Sequence, residues 1–350
     1  MSTPMSTPPL PDIRLYAMEW GTGRPRSPEQ ERPAPTVVLA DPTHLPDLLR
    51  SPLLTPGATV LVPGEDPGAL ADHHPGITVL TYEGALDTPG EDVGLHPDFY
   101  LRVDGYRAAA RTVLLGPTLV RITDDADLDA YLADAELALK AGKFQDFLTH
   151  PAVQLADLSD LGAPDHGDGP GLRLYVAVDG SVSHAPGGPV IGDLRSTPEE
   201  LAAAWRKART VRTEISQRPQ LARYLAAVGA VRAARARGVS RPRVSGFGGR
   251  LVAGLPQVEE AADAAFLLWS EDGRATVHDP RTGREIALSA DAARAAEALL
   301  VTGDRDTASR YADPQPVHAV DTYFAGIGLP LTPGRTGIRA DDRTKETTAR

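Results

Sequence analysis

The chain has 350 residues, of which 41% are hydrophobic and 5% aromatic, with 33 Gly, 32 Pro and no Cys. That length suits two or three domains, and the lack of Cys excludes disulfides, thiolate-held iron–sulfur clusters and a Cys nucleophile. A formal charge of −11 argues against a dedicated nucleic-acid binder, and with no signal-peptide pattern and no apolar run near the roughly 18 residues of a membrane span, a cytoplasmic protein is expected.

Residues 1–12 and 333–350 lack an apolar period and read as disordered tails. Residues 13–20 (IRLYAMEW) read as a strand, followed by the polar loop 22–35. From residue 36 the pattern alternates: strand 36–40 (TVVLA), short helix 44–51, strand 58–63 and strand 77–84. This spacing predicts a small α/β layer with parallel strands, which 99–106 and 118–124 extend or follow with a second sheet. A helix starts at Asp124 or Asp125, with Leu128, Tyr131, Leu132, Ala135 and Leu139 on one face. The breaker GAPDHGDGPG (162–171) then predicts a boundary, closing an N-terminal α/β domain over 13–161.

A central section over 172–254 opens with a hairpin at Asp179-Gly180. Two helices follow, then the glycine-rich RVSGFGGRLVAG (243–254), which reads as a flexible connector. Between 205 and 243 stand Arg206, Lys207, Arg209, Arg212, Arg218, Arg223, Arg232, Arg235, Arg237, Arg241 and Arg243, against the single acid Glu214. Such a run reads first as the solvated face of helices, next as a docking surface and last as a nucleic-acid contact.

Motifs that carry chemistry are missing. The strand at 36–40 leads into ADPTHLPDLL, with no glycine where a pyrophosphate would approach the backbone. Nine His include His73-His74, His166 and His184, none spaced as a metal set. Ser240 and Ser245 lack the nucleophile elbow. No cofactor, metal or catalytic residue is predicted.

Residues 258–332 are the most legible section. Strands over 266–270, 275–278 and 285–288 are joined by Glu271-Asp272-Gly273 and by the turn 279–283 (DPRTG). Ser289 then caps a helix whose buried face is Ala292, Ala295, Ala296, Leu299 and Leu300, ended by Gly303. A short helix runs from Asp306-Thr307 to Tyr311 and is broken by Pro314 and Pro316. A third spans 317–329, with Val317, Val320, Tyr323, Phe324 and Ile327 on its apolar face. Three strands followed by three helices form a winged-helix-like unit. DNA reading is disfavoured, because the third helix carries Asp321 and no Lys or Arg. An exposed third strand beside an apolar helix suits an extended peptide added to the sheet edge.

Three resemblances rest on these residues. The segment 179–209 (DGSVSHAPGGPVIGDLRSTPEELAAAWRKAR) is similar to the auxiliary segment of peptide-modifying radical enzymes, with His184 and Pro186 near the place of the cluster Cys. REIALSADAARAAEALLVTGDRDTA and the final helix resemble the recognition element of ribosomally made, modified peptides, whose simplest member is the pyrroloquinoline-quinone peptide chaperone. That resemblance implies a leader peptide paired with Arg284, Glu285, Ile286, Ala287 and Leu288 and packed on Val317, Val320, Phe324 and Ile327. Together with VRITDDADLDAYLADAELAL, VQLADL and RLYVAVDGSVSHAPGG, the chain is similar to the stand-alone precursor-recognition proteins of daptide-type clusters. The resemblance implies a non-catalytic scaffold that presents a precursor to an oxidative decarboxylase, an aminotransferase and a methyltransferase. The alternatives are a nucleotide- or sugar-dependent transferase built on the N-terminal α/β section and a winged-helix DNA-binding regulator. The expected architecture is thus an α+β or α/β multidomain chain.

Overall fold

The computed structural model describes residues 13–25, 34–66, 68–164, 167–208, 212–258, 260–261 and 263–332. The two tails expected to be disordered, together with His166 and Arg209, lie outside the described residues. The chain is mixed α/β, with three sheets among the described residues. It divides into two compact units: residues up to 138 with 143–236, and 139–142 with 237 onward.

The first unit opens with a correction. Residues expected to form a strand are the helix α1 (Ile13–Thr22). Ile13, Ala17 and Trp20 recur at helical spacing and are all buried, whereas Leu15, which an alternating strand would bury, is exposed. The indole of Trp20 donates to the Leu174 carbonyl at 2.9 Å, pinning the helix across the unit.

Next come β1 (Thr36–Leu39), α2 (Leu45–Leu48), β2 (Thr59–Pro63), β3 (Leu70–His74) and β4 (Ile77–Tyr82). Strands β1, β2 and β4 pair in parallel. Every residue of β1 is buried, as expected of a strand covered on both faces. The second sheet holds β5 (Asp92–His96), β6 (Phe99–Gly105), β7 (Thr118–Arg121) and β8 (Val153–Leu155), with α3 (Tyr106–Ala109) after β6 and α4 (Asp125–Ala141) after β7. Strands β3, β5 and β8 have no counterpart among the predicted elements.

Asp127 joins two helix starts. Its carboxylate accepts from the backbone N–H groups of Tyr106 and Arg107 at α3 (3.2 and 3.0 Å) and from Thr123 N and Oγ (3.1 and 2.7 Å). Burial opposes its ionisation, but these bonds outweigh it and hold the carboxyl below its ordinary value. Asp127→Ala is expected to cost about 3 kcal/mol, read by chemical denaturation, because several donors lose a charged acceptor at once.

The chain then returns to the first sheet. Strand β9 (Arg173–Val176) pairs in parallel with β1, and β10 (Ser181–Ser183) and β11 (Gly192–Asp193) follow as antiparallel neighbours. The order is β11-β10-β9-β1-β2-β4-β3. The breaker at 162–171 is therefore a crossing within one unit and not a domain boundary. Gly180 adopts φ 80°, as the expected turn at Asp179-Gly180 requires. Helices α5 (Pro198–Ala208), α6 (Thr213–Ser216) and α7 (Gln220–Ala236) complete the unit. One apolar layer gathers Val38 and Leu61 of the first sheet, Val103 and Leu119 of the second, and Trp20.

The arginine run is only partly a solvated face. Arg223 is buried, and Arg232 donates to the Val153 carbonyl at 2.7 Å, with burial lowering its pKa to about 10. Arg212 and Arg235 pair with Asp125 and Asp146, each at 3.0 Å.

The second unit comprises β12 (Arg243–Val244), β13 (Phe266–Trp269), β14 (Ala275–His278) and β15 (Glu285–Leu288), then α8 (Ala290–Thr302), α9 (Arg305–Ala308) and α10 (Pro314–Gly326). Its sheet is antiparallel in the order β12-β13-β14-β15. The segment expected to be a flexible connector supplies β12 and is held further along. The fully buried Glu297 of α8 accepts from Leu251 N and Val252 N at 2.9 and 2.6 Å. Pro314 and Pro316 open α10 instead of separating two helices. Asp313 caps it through Gln315 N at 2.9 Å, and Pro314 sits where no N–H donor is needed. Among the described residues no helix is long and apolar enough to cross a membrane.

Candidate peptide-binding edge

The edge strand is set by its turn. The buried Asp279 side chain accepts from Arg281 N at 3.1 Å and Thr282 Oγ at 2.6 Å, and Gly283 adopts φ 69°. Asp279 N donates to the Arg284 carbonyl at 2.9 Å. Antiparallel ladders alternate, so this contact fixes the rest of the register: Val277↔Ile286 and Ala275↔Leu288 exchange hydrogen bonds, while His278↔Glu285 and Thr276↔Ala287 do not. The N–H and C=O groups of Glu285 and Ala287 therefore point away from β14, toward the open edge.

Side chains follow the same period of two. Ile286 and Leu288 are half-buried against the unit's core, and Glu285 and Ala287 are exposed. The strand is braced by the helix that follows. Ser289 caps α8 through Ala292 N at 3.4 Å, and Gly303 ends it at φ 65°. Ala295, Ala296 and Leu299 are fully buried as expected, with Ala292 and Leu300 half-buried against the core.

The expected helix face needs correcting. Val317 and Phe324 are 0% exposed and Val320 is 7% exposed, all within the unit's own core. These three hold α10 onto the unit and offer no free surface. Ile327 remains half-buried at the rim, and Arg284 Nη1 donates to its carbonyl at 3.3 Å, tying the start of β15 to the end of α10. Tyr323 lies one turn before Ile327 on the same face, is 54% exposed and meets Phe324 edge-on at 5.4 Å. The accessible apolar rim of the helix is thus Tyr323 and Ile327. Tyr323 stood on the predicted face without being assigned to the site.

Sequence reasoning also missed a charged group at this edge. Arg237 meets Glu285 at 2.6 Å, and His278 Nδ1 lies 3.6 Å from the other oxygen of the same carboxylate. The His278 ring also packs 4.9 Å from that of Phe266. Burial lowers the imidazole below its ordinary 6.5, against the pull of Glu285 and Asp279 and with the help of Arg237. As pH falls the unfolded chain takes the proton first. The contribution is therefore complete above about 6.5 and declines as pH drops toward the lowered folded value. Thermal unfolding between pH 7.5 and 5.5 (about two units spanning that window) is expected to show this decline, and His278→Gln to flatten it.

Among the described residues the other histidines stand apart. His184 lies 3.6 Å from Asp160 and edge-on to Trp205 at 6.2 Å, while His44 Nε2 contacts the Val178 carbonyl. No group of three or more His, Cys, Asp or Glu side chains among the described residues could hold a metal ion. No family model matches the chain, and no curated protein or solved structure matches it either.

Proposed function

We propose that the second unit is a winged-helix-like recognition element that binds the leader of a ribosomally made precursor peptide by adding it as a strand to β15. The observation that carries this reading is the edge itself: Glu285 and Ala287 direct their backbone donors and acceptors outward, and Arg284 at its start bonds to the carbonyl of Ile327, at the end of α10. Main-chain hydrogen bonds supply affinity in such a mode, and alternate side chains supply specificity. The whole chain then serves as a non-catalytic, cytoplasmic scaffold that presents a daptide-type precursor to an oxidative decarboxylase, an aminotransferase and a methyltransferase. The absence of Lys and Arg from α10 weighs against a DNA-reading helix.

Fluorescence anisotropy with the labelled leader of a daptide-type precursor from the same genome tests the reading. Saturable binding is expected, and no saturable signal up to about 1 mM would end it.

A further inference from the structure

We infer that the leader is selected by charge as well as by strand pairing, with Arg284 binding an aspartate or glutamate of the incoming strand. That acid stands two residues from one apolar side chain of the leader and four from a second. The inference rests on the strand-addition reading above and names the kind of peptide that β15 takes. Side chains alternate along a strand, so Arg284, Ile286 and Leu288 share one face of the sheet edge, and Glu285 and Ala287 the other. Arg284 precedes β15 by one residue, and a contact fixes its place on that face. Its Nη1 donates to the Ile327 carbonyl at 3.3 Å, and Ile327 packs on the same core as Ile286 and Leu288. A strand added beside β15 sets its own side chains opposite these three, at the same spacing.

Charge singles out Arg284. The arginines on either side of β15 in the chain are paired, Arg281 with Asp279 at 3.6 Å and Arg294 with Asp291 at 3.2 Å, and Arg237 meets Glu285 at 2.6 Å. Arg284 is exposed and meets no carboxylate among the described residues. Its partner is a neutral carbonyl at the end of α10, which holds the guanidinium without cancelling its charge. With Nη1 tied, the fork is held in place. Its Nε–Nη2 edge, the one that meets both oxygens of a carboxylate, has no partner among the described residues. Arg173 shows that geometry within the same chain, where Nε and Nη2 each donate to one oxygen of Asp168 at 2.7 Å.

The other two positions of this face are apolar. Ile286 and Leu288 are only half-buried, so an apolar side chain opposite each removes further surface from water. A lysine or arginine opposite Arg284 is disfavoured, because like charges directly opposite destabilise a strand pair. The second face, with the Glu285–Arg237 pair and Ala287, carries no net charge and makes no such demand.

Anisotropy of the same labelled leader with full-length variants tests this. Arg284→Glu is expected to weaken binding at least about tenfold. Arg310→Glu makes the same charge change on an exposed arginine just after α9 and is expected to stay within about twofold of the wild type. Against Arg284→Glu, replacing one leader acid by lysine is expected to restore affinity to within about threefold of the original pair. That acid is expected to show the spacing of two and four from apolar residues. If the wild type binds and Arg284→Glu binds as tightly, the inference is overturned while strand addition stands. Equal losses in both variants, no rescuing lysine, or rescue at an acid without that spacing overturn it too. No saturable binding by the wild type ends both readings. If Arg284→Glu does not fold, Arg284→Gln decides, since it keeps a donor for Ile327. It is expected to weaken the leader about fivefold, and wild-type affinity in that variant overturns the inference.

Discussion

Arg173→Met is expected to destabilise the first unit by about 3–5 kcal/mol, the usual cost of removing one partner from a buried ion pair. Arg173 is fully buried and its nitrogens are committed to Asp168, Asp157 and the Trp20 carbonyl. Removing the cation leaves Asp168, itself buried, holding a charge without the guanidinium, beside Ser159 and the Gly169 N–H. It also frees the crossing that brings β9 back beside β1. Denaturant titration followed by far-UV circular dichroism reads the loss, and a change under about 1 kcal/mol would show that the pair is not what fixes this crossing. The double variant Arg173→Met with Asp168→Leu is expected to recover part of the stability, since an apolar pair of similar volume escapes the desolvation cost. Acid should act in the same direction as the single variant. Burial alone would raise the Asp168 pKa, but Arg173 outweighs it and lowers the carboxyl. Its contribution is therefore present above about pH 4 and lost as pH falls through the lowered value.

Ala287→Pro is expected to leave the second unit folded and to weaken leader binding at least about tenfold. The Ala287 N–H points away from β14, so a proline there removes no ladder bond, and proline is tolerated on edge strands for that reason. An incoming strand loses both a donor and room beside the pyrrolidine ring. Ile286→Pro provides the contrast: its N–H belongs to the ladder with Val277, and the substitution should cost about 3 kcal/mol and loosen the whole unit. If both variants bound the leader as tightly as the wild type, β15 would not be the docking strand. Thermal unfolding of each variant separates lost binding from lost fold. Phe324→Asp would not serve, because Phe324 is buried in the core and an unpaired charge there would unfold the unit.

Much of the second unit was legible because its signals are local. Asp-Gly and Thr-Gly turns bound short alternating strands, Ser289 and Gly303 bracket α8, and the register of β15 follows from the turn at Asp279. Where reasoning failed, the deciding partner was distant in sequence. Periodicity identified Val317, Val320 and Phe324 as one apolar face, but not that the unit's own core covers it. The glycines of 243–254 suggested a loose connector, yet Glu297, some 45 residues on, holds Leu251 and Val252. The breaker at 162–171 concealed the pairing of β9 with β1, because Arg173 finds its neighbours Asp157 and Trp20 only in the folded chain. Residues 13–20 satisfied both periods, and the burial of Trp20 at helical spacing from Ile13 and Ala17 decided for α1.

Amide hydrogen exchange, resolved by residue, with and without the leader peptide most directly tests strand addition at β15. Binding should slow exchange at Glu285 and Ala287, whose N–H groups face the open edge, while Ile286 and Leu288, already bonded to β14, change little. Protection confined to the opposite edge at Arg243–Val244, or bound leader with no new protection at Glu285 and Ala287, would contradict it.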